Sequence, residues 1–365
     1  GDFTTTRNTV ATRVNENGLI EEVATNVPRL NYPLIDGVVN GCPSLLLEPQ
    51  STNLVTYSED FSNAAWSKVS ANTGIAPIIT QNQGVSPDGE LTADKIVFDL
   101  NGGVSATDKS ILRQSVTATV SDYTLSFYAK SLSGDKIFSF YFKNTDVGVF
   151  TVTEEWQRFE YTGEALSTAS NYGLALFGNT NSNSAEILLW GAQLEENSYA
   201  TSYIKTIGTA QTRVADTANG AGNASTFNSS EGVLMAEISD LYDSGTSRVI
   251  SISDGTLSNR IFFKFYTVNN GIEATMVSSS GGTNPQITSV IGDSSSFSKI
   301  ALKYSINGFK LWANGFELGS DTVTNLPNNL SDLSFDTASI NDFYGSTKQI
   351  QYFDSALNDS DLETL

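Results

Sequence analysis

Apolar and polar residues alternate with a period of two along much of this chain, and the 3.6-residue period of an amphipathic helix is hardly found. In residues 123–130, Tyr123, Leu125, Phe127 and Ala129 fall on one face, and Thr124, Ser126, Tyr128 and Lys130 on the other. A turn at Ser133-Gly-Asp135 follows, after which Phe138, Phe140 and Phe142 point inward and Ser139, Tyr141 and Lys143 outward. Residues 156–161, 173–177 and 185–190 read as further strands of the same unit. Residues 232–238, 248–253, 260–268, 271–277, 299–304 and 309–313 repeat the logic. The tight-turn dipeptides Asp254-Gly255, Asn270-Gly271, Asn307-Gly308 and Asn314-Gly315 set these segments up as consecutive hairpins. One helical turn or two is expected at the end, from Asn358 as N-cap, with Asp359, Asp361 and Glu363 in the first turn.

The organising stretch is 190–216, where an apolar strand ends and a small, polar segment begins. Thr12-Arg-Val14 is echoed there by Thr212-Arg-Val214. Strands at this spacing predict an all-β protein of two antiparallel β-sandwich domains in tandem behind an extended N-terminal leader. The boundaries expected are 1–50 for a leader and oligomerisation segment, 51–206 for the first sandwich and 207–365 for the second. At 365 residues the chain exceeds what one core usually fills.

Composition narrows the partners. The formal charge is −20, with 40 Asp and Glu against 20 Lys and Arg, so nucleic acid and anionic membrane surfaces would be repelled. No apolar run is long enough to span a bilayer, and no membrane insertion is expected. Cys42, the one cysteine, has no partner for an intramolecular disulfide and reads as a small buried residue beside Pro43. Histidine is absent, which removes Ser-His-Asp and Cys-His nucleophiles, a His general base and His-ligated zinc.

Several motifs carry a resemblance. Arg13-Val-Asn-Glu-Asn-Gly18, Leu45-Leu-Leu-Glu-Pro-Gln-Ser-Thr-Asn-Leu54, Tyr57-Ser-Glu-Asp60, Trp190-Gly-Ala-Gln-Leu-Glu-Glu196 and Ala200-Thr-Ser-Tyr-Ile204 resemble the leader and carbohydrate-binding-like jelly roll of bacteriophage head-fibre, spike and tail-fibre proteins. Asn307-Gly-Phe-Lys-Leu-Trp-Ala-Asn-Gly315 and residues 343–362 look like the concanavalin A-like, laminin G-like sandwich that often follows it. The resemblance implies a virion-surface protein, a homo-oligomer and commonly a trimer, whose partner is a glycan on a bacterial surface. An exposed apolar Leu45-Leu-Leu47 would then be buried between subunits. Glucanases of this fold carry closely spaced carboxylates on one strand. Glu237, Asp240 and Asp243 have the wrong spacing, so a non-enzymatic adhesin is expected, with a purely structural decoration protein as the alternative and a glycan-degrading enzyme behind both.

Glycan binding needs flat apolar faces for C–H surfaces and polar partners for hydroxyls. The candidates are therefore aromatics on the solvent-facing sides of strands: Tyr128 and Tyr141 in the first sandwich, and Phe262, Tyr266 and Trp312 with Asn314 in the second. Trp66, Trp156 and Trp190 are expected in the core. No cofactor is expected beyond a structural calcium, for which Glu59, Asp60, Asp240 and Asp243 could supply oxygen ligands.

Overall fold

The computed structural model describes residues 2–364, except 166–167, 179, 181, 243–246 and 267. The chain is all-β, and its strands build two sandwiches because alternate positions give each sheet one apolar face to bury. In the first, Ile75–Gly84, Ala93–Asp99, Ser184–Glu195, Asp122–Ser131 and Gln157–Glu164 lie in that order in one antiparallel sheet. Thr145–Val152, Lys136–Phe142, Ala169–Phe177, Lys109–Thr117 and Trp66–Ala71 form the other. Tyr123, Leu125 and Phe127 meet Phe138, Phe140 and Phe142 in the core between them, with the Phe127 and Phe140 rings 5.5 Å apart.

In the second sandwich Phe316–Asp321, Gly308–Ala313, Ser298–Ser305, Glu231–Asp240 and Gly345–Phe353 form most of one sheet, facing Gln286–Val290, Gly271–Val277, Arg260–Phe265, Arg248–Ser253 and Asp332–Ser334. Leu234, Ala236 and Ile238 pack there against Ile250, Ile252 and Phe263. At the C-terminus Asp359–Leu362 forms the expected helical turn, with the Asn358 N–H donating to the Asp361 carboxylate at 3.2 Å. Among the described residues no helix is long and apolar enough to cross a membrane.

The leader does not stand apart. Ser44–Leu47 pairs with Gly345–Thr347 of the second sandwich, and Leu30–Asn31 extends the same sheet. Ala11–Val14 and Ile20–Val23 form a hairpin that lays Ile20 on Leu188 and Trp190 of the first. The apolar run 45–47, expected to seek a partner subunit, is instead covered within the chain, since Leu46 and Leu47 are buried and Leu47 joins the second core. Cys42 is exposed, because the loop after Val38–Val39 lies outside both cores.

A buried charge knot ties leader, first sandwich and connector together. Asp216 takes Arg7 Nη1 at 2.9 Å and also Arg29 Nη2, while Arg29 Nη1 donates to Glu48 at 2.6 Å. Arg213 lies 3.4 Å from Glu48 and 3.7 Å from Asp216. The surplus positive charge is solvated by main-chain carbonyls: Arg7 Nη2 donates to Val23 and Ala24, and Arg29 Nη1 to Thr12. Burial alone would push the Glu48 carboxyl up, but the Arg213 and Arg29 guanidiniums and two donors from Ser202 hold it down at about 2. The echo between 12–14 and 212–214 does not extend to structure, because Arg13 makes a half-exposed pair with Glu21 while Arg213 is buried in the knot.

The motifs of the first sandwich serve the same locking. Asn53 Nδ2 donates to the carbonyls of Ala192 and Ile204, and its Oδ1 accepts from Leu194 and Val55. Gln193 Oε1 accepts from Ile204 N at 2.7 Å. Glu195 accepts from Ser51 Oγ at 2.6 Å, Gln193 Nε2 at 2.6 Å and Thr201 N at 3.0 Å. A buried carboxylate so surrounded is satisfied without a cation.

Candidate functional site

The first sandwich carries an open cleft on the outer side of the sheet that contains Asp122–Ser131 and Gln157–Glu164. Its floor follows from strand parity. Phe127 and Phe159 point into the core region, so Tyr128 and Arg158, paired across the ladder, point out. Ala129 pairs with Gln157, which puts Lys130 and Trp156 at the next position outward. Floor residues therefore alternate aromatic with cation in both directions.

Each ring is held. The Tyr128 ring meets Trp190 edge-on at 5.6 Å and has the Arg158 guanidinium 5.4 Å from its centroid. Trp190 in turn packs on Tyr203 at 4.4 Å. Gly191 makes this possible: it sits in a bulge, between the pairs Ser126–Gln193 and Tyr128–Trp190, with φ +66°. A Cβ there would come within 3.2 Å of the Tyr128 ring. Trp156 donates from Nε1 to the Val85 carbonyl at 3.0 Å, which fixes the indole against the loop behind Ile75–Gly84. Arg158 donates to the Thr201 carbonyl at 2.7 Å and to Ser126 Oγ at 3.0 Å.

The leader supplies the opposite wall. The turn 17–20 and the hairpin of Leu34–Ile35 with Val38–Val39 stand over the floor, bringing Asn17, Leu19, Leu34 and Asp36 to the rim, while Glu155 and Gln157 line the other side. The enclosed space is about 940 Å³, within the usual span of small-molecule clefts. Half-buried aromatic faces beside amide, carboxylate and ammonium groups can hold a ring that is apolar on one side and hydroxylated at its edge.

The other sequence-chosen positions are scattered. Tyr141 follows Tyr128 closely in sequence but belongs to the opposite sheet, so their outer faces point away from each other. It is 7% exposed, packed on Ile111 and Ala175, with Arg113 Nη1 donating to its hydroxyl at 3.0 Å. Phe262 is 6% exposed, with the cations of Arg260 and Lys264 lying over its ring at 5.2 and 5.9 Å. Trp312 is 5% exposed, under Leu362 of the C-terminal helix. These three do not present free faces. Tyr266 is half-buried, its ring within 3.0 Å of the position a Cβ would take at Gly271. Asn314 is exposed in a turn, with Oδ1 accepting from Lys299 N. Of the tryptophans expected in the core, Trp66 and Trp190 are buried but Trp156 is half-buried in the cleft. Its outward parity with Arg158 was the signal that marks it.

The acidic positions are engaged within the chain. Glu59 pairs with Lys205 at 2.8 Å and accepts from Tyr203 OH at 2.9 Å. Asp60 caps its own turn by accepting from Ser62, Asn63 and Gln81. Asp240 pairs with Arg248 at 3.1 Å, and Asp243 lies outside the described residues. Among the described residues no three Asp, Glu or Cys side chains converge as a metal site would require.

No family model matches the sequence, and no curated protein does. Among solved structures, the chain is similar to the CBM40 domain of Ruminococcus gnavus IT-sialidase bound to α2,3-sialyllactose, at 15% identity and TM-score 0.34, over 40% of this chain and 92% of that one. Domain 4 of AbnA, an extracellular GH43 arabinanase of Geobacillus stearothermophilus in complex with arabinotriose, aligns at 12% identity and TM-score 0.34 over 46% and 82%. Domains LG4-5 of the mouse laminin alpha1 chain align at 10% identity and TM-score 0.28 over 68% and 88%. Likeness at this level says nothing of what this chain binds.

Proposed function

We propose that the protein is a non-enzymatic glycan-binding adhesin of the bacteriophage fibre or spike kind, carried on the virion surface and holding a bacterial-surface sugar in the cleft of its first sandwich. The observation that carries this reading is the pair of fixed aromatic faces, Trp156 and Tyr128, lining one cleft with polar groups at its rim. Support for the non-enzymatic part comes from the absence of histidine and from Glu237 and Asp240, which stand an odd number of residues apart on one strand and so face opposite sides of the sheet. Glu237 is moreover paired with Lys348 and Asp240 with Arg248. Assembly into a trimer belongs to the same proposal and follows from the fibre resemblance alone. Several weak sites on one particle would give a firm grip by raising the effective concentration of each later contact.

A glycan array probed with the full chain, wild type against Trp156→Ala and Tyr128→Ala, tests the site. Loss of an exposed stacking face should weaken binding about tenfold or more for Trp156→Ala. Binding that ignores both substitutions would remove the cleft from the reading, and release of reducing sugar would remove the non-enzymatic part. A structural decoration role is the second reading, favoured by the charge knot, which joins leader and connector through buried ion pairs. Binding to no glycan and no cell would select it.

A further inference from the structure

The floor of the cleft holds cations that the protein leaves unneutralised. Carboxylates outnumber cations 40 to 20 in this chain, and seven of its twelve lysines, Lys95, Lys205, Lys310 and Lys348 among them, pair with a carboxylate among the described residues. Lys130 and Arg158 make no salt bridge among the described residues, although Asp36 and Glu155 line the same cleft. Lys130 has no hydrogen-bond acceptor either, and Arg158 donates only to the neutral Thr201 carbonyl and Ser126 hydroxyl, its buried Nε having no partner. Both flank the aromatic faces: Arg158 lies over Tyr128, and Lys130 is at the step that also carries Trp156. With Asp36 and Glu155 at the rim and neither cation ion-paired, the half-enclosed ammonium and guanidinium place positive charge at the floor, beside the aromatic faces, in a molecule of charge −20.

Resting on the cleft as the glycan site, we infer that its ligand is a glycan bearing an anionic substituent, a carboxylate, sulfate or phosphate placed beside a sugar ring. The ring lies against Trp156 and Tyr128, and the anion accepts from Lys130 Nζ within the field of Arg158. The acidic surface elsewhere discriminates against dense polyanions, so the preferred ligand carries isolated charges along an otherwise neutral chain.

The test is an array of neutral, uronate-bearing, sialylated, sulfated and phosphorylated glycans, probed with wild type, Lys130→Met, Lys130→Glu and Trp156→Ala, all checked for folding by circular dichroism. Acid-bearing members should lead, with carboxylate, sulfate and phosphate arms telling the sources apart. Lys130→Met should cut their signal about fivefold, with Lys130→Glu larger still, and cut the signal of neutral glycans by a clearly smaller factor. Equal binding of neutral and acidic glycans, still lost in Trp156→Ala, overturns this inference and keeps the cleft. Binding insensitive to Trp156→Ala, or no binding at all, overturns both.

Discussion

Two sheets of this protein show solvent-side patterns that look alike in sequence and end differently. On the first sandwich, Tyr128 stands beside Lys130 and Arg158; on the second, Trp312 stands near Lys310 and Lys303. The leader covers part of the first face, placing Ile20 on Leu188 and Trp190 while Tyr128 and Trp156 still line an open cleft. The C-terminal segment covers the second face completely around Trp312, through Leu362 with Leu357 and Phe353 alongside, and Asp359 takes up both lysines at 3.0 and 2.7 Å. An aromatic flanked by cations on an outward strand position is thus only half a site. What decides is the segment, distant in sequence, that lies over it and whether that segment brings its own carboxylate.

The two covers are also held by different forces, which gives the largest expected effect. The leader is fastened by the buried charge knot, in which Arg7, Arg29 and Arg213 share Glu48 and Asp216. Because cations are in surplus there, losing an anion is worse than losing a cation. Asp216→Asn should cost about 4 kcal/mol in chemical denaturation, since it leaves guanidiniums buried without a counter-charge. Arg213→Met should cost clearly less; the reverse order would show that the knot's charge balance does not govern its stability. The sign of the pH dependence follows from Glu48. Its folded carboxyl is held at about 2, below its ordinary 4.5, so its stabilisation is complete above 4.5 and is lost as pH falls toward 2. The amount is on the order of 3 kcal/mol, and in Glu48→Gln the stability should lose that part of its slope between those limits.

Much of the architecture was legible because strand parity is a local property. The inward sets 123–129 and 138–142 fall in the core as the alternation requires, and the helical turn begins after Asn358. Parity says which face a residue is on, yet not what covers that face. Tyr141 is on the outer side as expected, but Ile111, Ala175 and Arg113 from its own sheet enclose it, while Phe262 is closed over by Arg260 and Lys264. The leader's polar residues looked like turn and linker chemistry, whereas Arg7, Arg29 and Glu48 are buried by contacts 168 to 209 positions away in sequence. Such partners have no periodicity to reveal them. Trp156 departs from the core for a related reason: tryptophan is usually buried, and its outward parity counts only once the overhanging hairpin defines a cleft.

The cover over Trp312 is fastened chiefly by apolar contact, so the next effect is smaller. Leu362 is buried in the cluster of Val233, Met235, Ala301 and Trp312. Leu362→Ala should cost about 2 kcal/mol, at the lower end for a buried leucine because the helix is terminal and can shift to fill the space. The tryptophan emission should move to the red as Trp312 gains water. If the uncovered face then bound glycans on the array as the cleft does, the second sandwich would carry a masked site; unchanged binding would confine recognition to the first.

The smallest effect separates charge from packing in that same cover. Asp359 accepts from Lys310 and Lys303, which holds its carboxyl below the usual range and holds the Lys310 ammonium above its own. The Asp359 side chain is nonetheless 46% exposed, so solvent and salt screen both pairs and little of the shift becomes stability. Asp359→Asn should therefore cost no more than about 0.5 kcal/mol, vanish in 1 M salt, and leave tryptophan emission where it was. It would also leave Lys303 unpaired beside a still-covered indole, while Lys310 keeps Glu317 at 3.0 Å, giving an unpaired ammonium like that of Lys130 without the open ring. Were binding of acidic glycans to rise in this variant, cations alone would suffice for recognition and the role given to the exposed faces of Trp156 and Tyr128 would fall. Were emission to shift as far as in Leu362→Ala, the ion pairs rather than the leucine would be what keeps the helix on its sheet.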